Sequence, residues 1–129
     1  MAGQRSAAFI DALRALEAEG NVEAIASLFT DDAELSTPTD TAPHRGTSGA
    51  RTFWENYRRT FAEIDSEFRH VIETDDTAVL EWTSHGRTSN GREIRYDGVS
   101  VLEFRDGAIR RFRNYYNPSR LGDQLGPAA

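Results

Sequence analysis

The spacing of apolar residues changes period once along this chain, and that change restricts the fold more than any other feature. Up to residue 61, apolar side chains recur every three or four positions, as on one face of a helix. Beyond it they alternate, as on strands with two unlike faces. "SAAFIDALRALEAEG" sets Phe9, Ile10, Leu13 and Leu16 on one stripe, and Gly20 supplies a natural stop. Asn21 reads as the cap of a second helix, "VEAIASLF", whose apolar face is Val22, Ile25, Leu28 and Phe29. "DDAEL" predicts a short strand, closed by the turn-rich "STPTDTAPHRGTSG". A third helix is predicted from about Gly49 to Phe61, carrying Phe53, Trp54, Tyr57 and Phe61. "EFRHVIE", "TAVLEWTSHGRTS", "REIRYDGVSVLEF" and "AIRRFRNYY" then predict four strands. Helices followed by an antiparallel meander make an α+β layout, and 129 residues suit a single domain over 1–129. In the tail, Leu121 and Leu125 are expected to dock before the chain frays.

Charge narrows the function. The net charge is −6 and all fifteen basic residues are arginine, so the chain lacks the basic footprint of a nucleic-acid reader. With no cysteine, disulfides and thiolate metal sites are excluded, and three histidines without close spacing argue against a metal centre. No apolar run is long enough to span a bilayer, and the first twenty residues carry acids through their apolar part. A soluble cytoplasmic protein that uses no cofactor and does not bind membranes is the expectation.

Strand pairing decides which residues can meet a ligand. Asn90-Gly91 in "TSNGRE" is a strong hairpin signal. A two-residue turn there sets His85 opposite Tyr96, Glu81 opposite Ser100 and Val79 opposite Leu102, all on one face. Leu80, Trp82, Val99 and Val101 take the other face, with Asp97 and Arg95. The next turn, "RDGA", has two readings. A two-residue loop would bring Arg111 and Arg113 beside Leu102 and Ser100, whereas a three-residue loop with a left-handed Gly107 brings Phe112, Asn114 and Tyr116 there. Burying two unpaired guanidiniums is costly, so the three-residue loop is predicted. One face then combines aromatic rings with Glu81, His85, Ser100 and Asn114, which suits a small-molecule pocket. The stripe of Leu80, Trp82, Val99 and Val101 predicts a homodimer through the sheet.

The segments "GNVEAIASLFTDDAEL", "HRGTSGARTFWENY", "VSVLEFRDGAIRRFRNYYN" and "RLGDQLG" together resemble the nuclear transport factor 2-like superfamily, in its SnoaL-like and ketosteroid-isomerase-like branch. The resemblance implies an α+β cone, with three N-terminal helices enclosing a pocket against a curved, mostly antiparallel sheet. It also implies a small-molecule activity, although this superfamily hosts isomerases, cyclases, hydrolases, dehydratases and proteins without known activity. Steroid isomerases of this fold use a tyrosine on the first helix, an aspartate before a proline on the first strand and a protonated aspartic acid on a later strand. The matching positions hold Leu13, Thr37 (before Pro38) and Ser100. Epoxide hydrolases of this fold show a "WRDYFD"-like pattern where this chain reads "FRNYYN". Asn114 and Asn117 therefore replace both carboxylates, while Gly98 and Ser100 replace the Arg and Asp of the preceding strand. The acid that SnoaL-type cyclases are thought to use near the end of the sheet falls on the same asparagines.

The remaining candidates for chemistry are His85 as acid/base with Tyr96 as partner, and Glu81 as a second proton acceptor. Asn114, Tyr116, Phe112, Ser100, Trp54 and Tyr57 are candidates for binding the substrate. Glu81 and His85 sit four residues apart on one strand, roughly 13 Å between α-carbons, and would act on two ends of one substrate. A bulge in that strand would instead turn both outward and leave Leu80 and Trp82 as ordinary core. Asp40 and His44 lie on the loop that would lid the cavity, and Arg110, Arg111 and Arg113 read as a solvated or interface face. The expected activity is cofactor-free acid/base chemistry, whether cyclisation, isomerisation or dehydration, on a hydrophobic oxygenated molecule such as a polyketide or terpenoid. The alternative is a non-catalytic ligand-binding or dimerisation module. The motif departures predict no appreciable isomerisation of a Δ5-3-ketosteroid; turnover well above background in that assay would overturn the placement of Leu13, Thr37 and Ser100.

Overall fold

The computed structural model describes residues 3–125, without the side chain of Leu125. Helix α1 (Gln4–Glu19) stops where Gly20 takes a left-handed φ of 73° and the amides of Gly20 and Asn21 return to the Leu16 and Ala15 carbonyls. Its N-terminal residue, Gly3, offers no capping side chain. The carboxylate of Glu73 takes that role from across the fold, accepting from the Ser6 N–H at 2.9 Å and the Ser6 hydroxyl at 2.5 Å. Asn21 Oδ1 accepts from the Ala24 N–H and opens α2 (Val22–Ala26), as its side chain predicts. Strands β1 (Phe29–Ser36) and β2 (His44–Arg45) precede α3 (Gly46–Thr60). Strands β3 (Phe61–Glu73), β4 (Thr77–Thr88), β5 (Glu93–Arg105) and β6 (Ala108–Tyr116) follow, and α4 (Pro118–Leu125) closes the described chain.

The strands form one curved, open sheet in the order β2-β1-β6-β5-β4-β3, antiparallel except where β1 runs beside β6. The α+β cone expected from the resemblance is present. α1 and α3 lie in its hollow, where Phe9, Leu13, Leu16, Phe53 and Trp54 meet Leu80, Leu102 and Phe112 in one core. Two features differ from the sequence reading. Strand β3 begins at Phe61, six residues earlier than predicted, because bulges after Phe61 and after Phe68 break its alternation. Its inward apolar residues Phe61, Ile64, Phe68 and Val71 fall at helix-like spacing, with the inward Ser66 polar, which hides a strand from a hydrophobic-periodicity reading. The tail also forms a helix, α4, which brings Leu121 against Phe61, Ile64 and Ile94 at the open end of the hollow. The predicted docking of Leu125 lies outside the described side chains.

Both hairpin loops differ in length from the reading. Asn90 keeps a negative φ and only Gly91 is left-handed (φ 89°), so the first loop holds three residues and Thr88 faces Arg92. That one residue slides β4 against β5. His85 pairs with Arg95, Ser84 with Tyr96, Trp82 with Gly98 and Leu80 with Ser100. Asp106 (φ 53°) and Gly107 (φ 83°) are both left-handed, so the second loop holds only two residues. A bulge between Glu103 and Phe104 then restores the inward placement of Phe112, Asn114 and Tyr116. The faces of β5 and β6 are therefore as predicted, and those of β4 are reversed. Leu80 and Trp82 are buried in the hollow, not on the convex face, while Glu81 and His85 look outward.

Trp82 lies over Gly98, where an added Cβ would run into the ring and into the Tyr115 carbonyl. Gly98→Ala should therefore displace the indole and destabilise the protein by about 1–3 kcal/mol. Urea unfolding and the Trp82 indole resonance check this, and an unchanged variant would show that the ring has room to spare.

Candidate functional site

The hollow contains two connected spaces. The inner one, about 20 Å³, is lined by Phe9, Leu13, Trp54, Phe68 and Phe112, with Ser66, Ser84 and Ser100 as polar members. That is room for about one water molecule. The outer one, about 270 Å³, lies between the loop after β1, α3 and the ends of β5 and β6, with Asp40, Asn56, Thr60 and Tyr116 among its walls. Tyr57, Tyr96 and Asn114 line both and form the neck between them.

Behind the cavity lining, bonded to Tyr57 and Ser66, lies a buried carboxyl group that the sequence reading missed. Glu17, 7% exposed, comes from the C-terminal turn of α1. Its Oε2 accepts from the Tyr57 hydroxyl at 2.6 Å and the Ser66 hydroxyl at 2.7 Å, and its Oε1 accepts from the Ser66 N–H at 3.1 Å. Since Ser66 gives its proton to Glu17, the 2.6 Å contact between Ser66 and Ser84 runs from the Ser84 hydroxyl to Ser66. Burial holds the Glu17 carboxyl above the usual carboxylate range, outweighing the three donors that favour its charge, and the negative charge of Asp65 pushes the same way. Burial also raises the Tyr57 hydroxyl well above its ordinary value, with the charge of Glu17 adding to the effect. The signal for Glu17 was present in the sequence: an acid one turn after Leu13, on the stripe that otherwise holds Phe9, Ile10, Leu13 and Leu16.

A second hydrogen-bonded chain runs along the inward face of β4, β5 and β6. Trp82 Nε1–H donates to Ser100 Oγ at 2.9 Å, and the Ser100 hydroxyl donates to Asn114 Oδ1 at 2.5 Å. The Tyr96 ring lies 5.3 Å from Trp82 and 5.4 Å from Tyr116, and burial raises its hydroxyl above the ordinary value.

The structure thus brings together Tyr96 and all six residues selected for binding, namely Asn114, Tyr116, Phe112, Ser100, Trp54 and Tyr57. It separates them from the other two. Glu81 is on the convex face, 2.5 Å from His70 Nδ1, which holds its carboxyl below the usual range. His85 is also convex, with Nε2 3.3 Å from Asp65 and 3.9 Å from Glu67. The pairing of His85 with Tyr96 is therefore corrected, and the cause is the extra residue in the Gly91 loop. Asp65, Glu67 and His85 place their ligand atoms within 4.8 Å of one another, but all three are exposed on the far side of the sheet from the cavity. Asp40 reaches the outer chamber, with Oδ2 accepting from the Thr37 N–H at 2.9 Å. Arg111 and Arg113 pair with Glu103 on the convex side.

Comparison with known proteins gives a consistent result. The family model of the SnoaL-like domain matches residues 7–112. An uncharacterised PhzA/B-like protein of Pseudomonas aeruginosa is 32% identical over 83 residues, a match spanning 60% of this chain and 59% of that protein. Among solved structures, TerC co-crystallised with polyporic acid superposes with a TM-score of 0.82 at 18% identity, over 97% of this chain and all of that one (100%). A hypothetical protein from Catenulispora acidiphila with a ketosteroid isomerase-like fold, in complex with trimethylamine, gives 0.83 at 16% identity, over 99% of this chain and 96% of that one. At these identities the structural likeness speaks for the fold, and the match over residues 7–112 speaks for descent: the chain belongs to the SnoaL-like domain family.

Proposed function

We propose that this protein is a small-molecule enzyme that moves a proton on a hydrophobic, oxygenated substrate without a cofactor, with Glu17 as the group that holds the proton. The observation that carries the reading is the buried Glu17 carboxyl, hydrogen-bonded to Tyr57 and Ser66 where both side chains line an apolar cavity. When Glu17 is ionised, Tyr57 and Ser66 donate to it and Ser84 donates to Ser66, so oxygen lone pairs of Tyr57 and Ser84 remain free to receive a substrate proton. As the Tyr57 oxygen takes the substrate proton, its own O–H proton moves to Glu17 Oε2, and the reverse transfer returns a proton to substrate. A carboxyl group whose pKa is raised by burial holds a proton more readily than an ordinary carboxylate, which suits such two-way transfer. Isomerisation, cyclisation and dehydration all need this step. The small-molecule complexes of TerC and of the Catenulispora protein support a ligand-binding use of the fold. His85 and Glu81, facing solvent, take no part in this mechanism.

The test is solvent exchange at an activated carbon. In D₂O, the protein should accelerate deuterium uptake at the α-carbon of 2-tetralone, and Glu17→Gln should lower that acceleration by about a hundredfold or more. Wild-type exchange no faster than buffer would support the non-catalytic binding module instead, and an active Glu17→Gln variant would remove Glu17 from the mechanism.

Stability should report the same group. Because the folded Glu17 carboxyl titrates above its unfolded value, its stabilising contribution is complete below the unfolded pKa and is lost as pH rises through the folded one. The stability of Glu17→Gln relative to wild type should therefore increase with pH across that window in urea unfolding. Parallel pH profiles would contradict the raised carboxyl.

Dimerisation through the convex face is part of the same proposal, with corrected residues. Ile72 and Tyr115 are 61% and 51% exposed, and Val79, Val99 and Val101 lie beside them on the outer face of neighbouring strands. Val101→Glu should convert a dimer into a folded monomer by sedimentation. A wild-type protein already monomeric at micromolar concentration would refute the interface.

A further inference from the structure

The proton positions along the chain from Trp82 to Asn114 fix what kind of ligand atom the cavity accepts. An indole N–H only donates, so Ser100 Oγ must accept from Trp82 Nε1. The Ser100 proton therefore points onward to Asn114, and only the amide oxygen can receive it. This orients the Asn114 side chain. Its oxygen is consumed by Ser100, and its NH₂ group, which makes no hydrogen bond among the described residues, is left at the neck shared by the inner and outer spaces. Deeper in, Trp54 is 1% exposed and lines the inner space, and its Nε1–H is buried with no partner among the described residues. Its surroundings are aromatic: Phe9, Phe29, Phe53, Tyr57 and Phe112 present rings 4.8 to 6.2 Å away. A buried donor without an acceptor is costly, and it marks a place for an acceptor from outside the chain.

We propose that the cavity selects its ligand by a ketone-type oxygen, which accepts from the Asn114 amide N–H at the neck, with Trp54 Nε1–H as a second donor for an oxygen carried deeper. The ligand class is a largely apolar, planar molecule bearing carbonyl oxygens, and a hydrocarbon of the same shape is discriminated against. The inference rests on the reading of this cavity as a small-molecule site, and it adds a specificity device to the proton relay. A carbonyl held by Asn114 would also have its α-protons acidified, which is the chemistry that a proton-holding group such as Glu17 requires.

The experiment compares 2-acetylnaphthalene with 2-isopropenylnaphthalene, which has the same planar shape and a methylene group in place of the oxygen. Titrations of ¹⁵N-labelled wild type should give about tenfold tighter binding of the ketone. The Asn114 side-chain amide resonances should move with the ketone and not with the alkene. The Trp82 indole resonance, already committed to Ser100, should move with neither. Asn114→Asp keeps the acceptor for Ser100 and replaces the free donor with an acceptor, so the ratio of ketone to alkene affinity should fall to about one. Equal affinities in wild type, a ketone preference that survives in Asn114→Asp, or no binding of either probe would each overturn the inference. A ketone preference without deuterium exchange would keep the Asn114 donor and remove the proton relay, so the two readings fail separately.

Discussion

The length of the loop at Ser89-Asn90-Gly91 decides which side chains of β4 can meet a ligand. With Asn90 at negative φ, the loop closes over three residues, and Ala78, Leu80, Trp82 and Ser84 are directed into the hollow. A two-residue loop would have presented Val79, Glu81, Thr83 and His85 instead, because a slip of one position exchanges the two faces of a strand along its whole length. Burial decides between the registers. Leu80 is fully buried and Trp82 and Ser84 nearly so, whereas a reversed strand would place Glu81 and His85 against Phe9, Leu13 and Trp54. The cost of burying those groups unpaired exceeds anything that turn propensity can contribute.

From that register follow both polar assemblies. Ser84 meets Ser66 across the β3–β4 ladder, and Ser66 receives Glu17 from α1. Trp82 spans Gly98 and reaches Ser100, whose partner on β6 is Asn114. α1 is consequently fastened to β3 near both of its ends by carboxyl groups with opposite character. At the N-terminal end Glu73, helped by Ser6 and Arg5, is held below the usual carboxylate range. At the C-terminal end Glu17 is held above it by burial. The first acts as a cap that any small protein would use. The second is disfavoured as an anion by its burial, and the proposed role in proton transfer gives a reason to keep it there.

How much of this the sequence discloses depends on where the alternation is intact. The helical stripes of α1 and α3, the inward faces of β5 and β6, and the lining residues Trp54, Tyr57, Ser100, Phe112 and Asn114 are legible from periodicity together with the cost of burying arginine. Three things are not. Bulges in β3 imitate helix spacing and conceal the strand that carries Ser66. Asn-Gly is compatible with both a two-residue and a three-residue loop, and the choice rests on the φ of Asn90, which local sequence does not determine. Glu17 stands on an apolar stripe in plain view, but its partners Tyr57 and Ser66 lie 40 and 49 residues away, so only the folded chain reveals why an acid is tolerated there.

The two amides of "FRNYYN" have separate explanations. Asn117 precedes Pro118 at the start of α4, and its Oδ1 accepts from the N–H groups of Ser119 at 3.0 Å and Arg120 at 3.3 Å. That is helix capping, a task for which Asn and Asp are nearly equivalent, so position 117 says little about chemistry. Asn114 is different. Its oxygen alone would not distinguish an amide from a carboxylate, because Ser100 needs only an acceptor. What the amide adds is its other end, a donor at the neck of the cavity. A carboxylate there would present an acceptor and a negative charge beside Tyr57 and Tyr96, and its charge would raise the Glu17 carboxyl further across the same narrow space. For the proposed reaction, one carboxyl group at the buried end of the relay and a neutral donor at Asn114 are compatible: the first would hold the proton, and the second the oxygen whose neighbouring carbon gives it up.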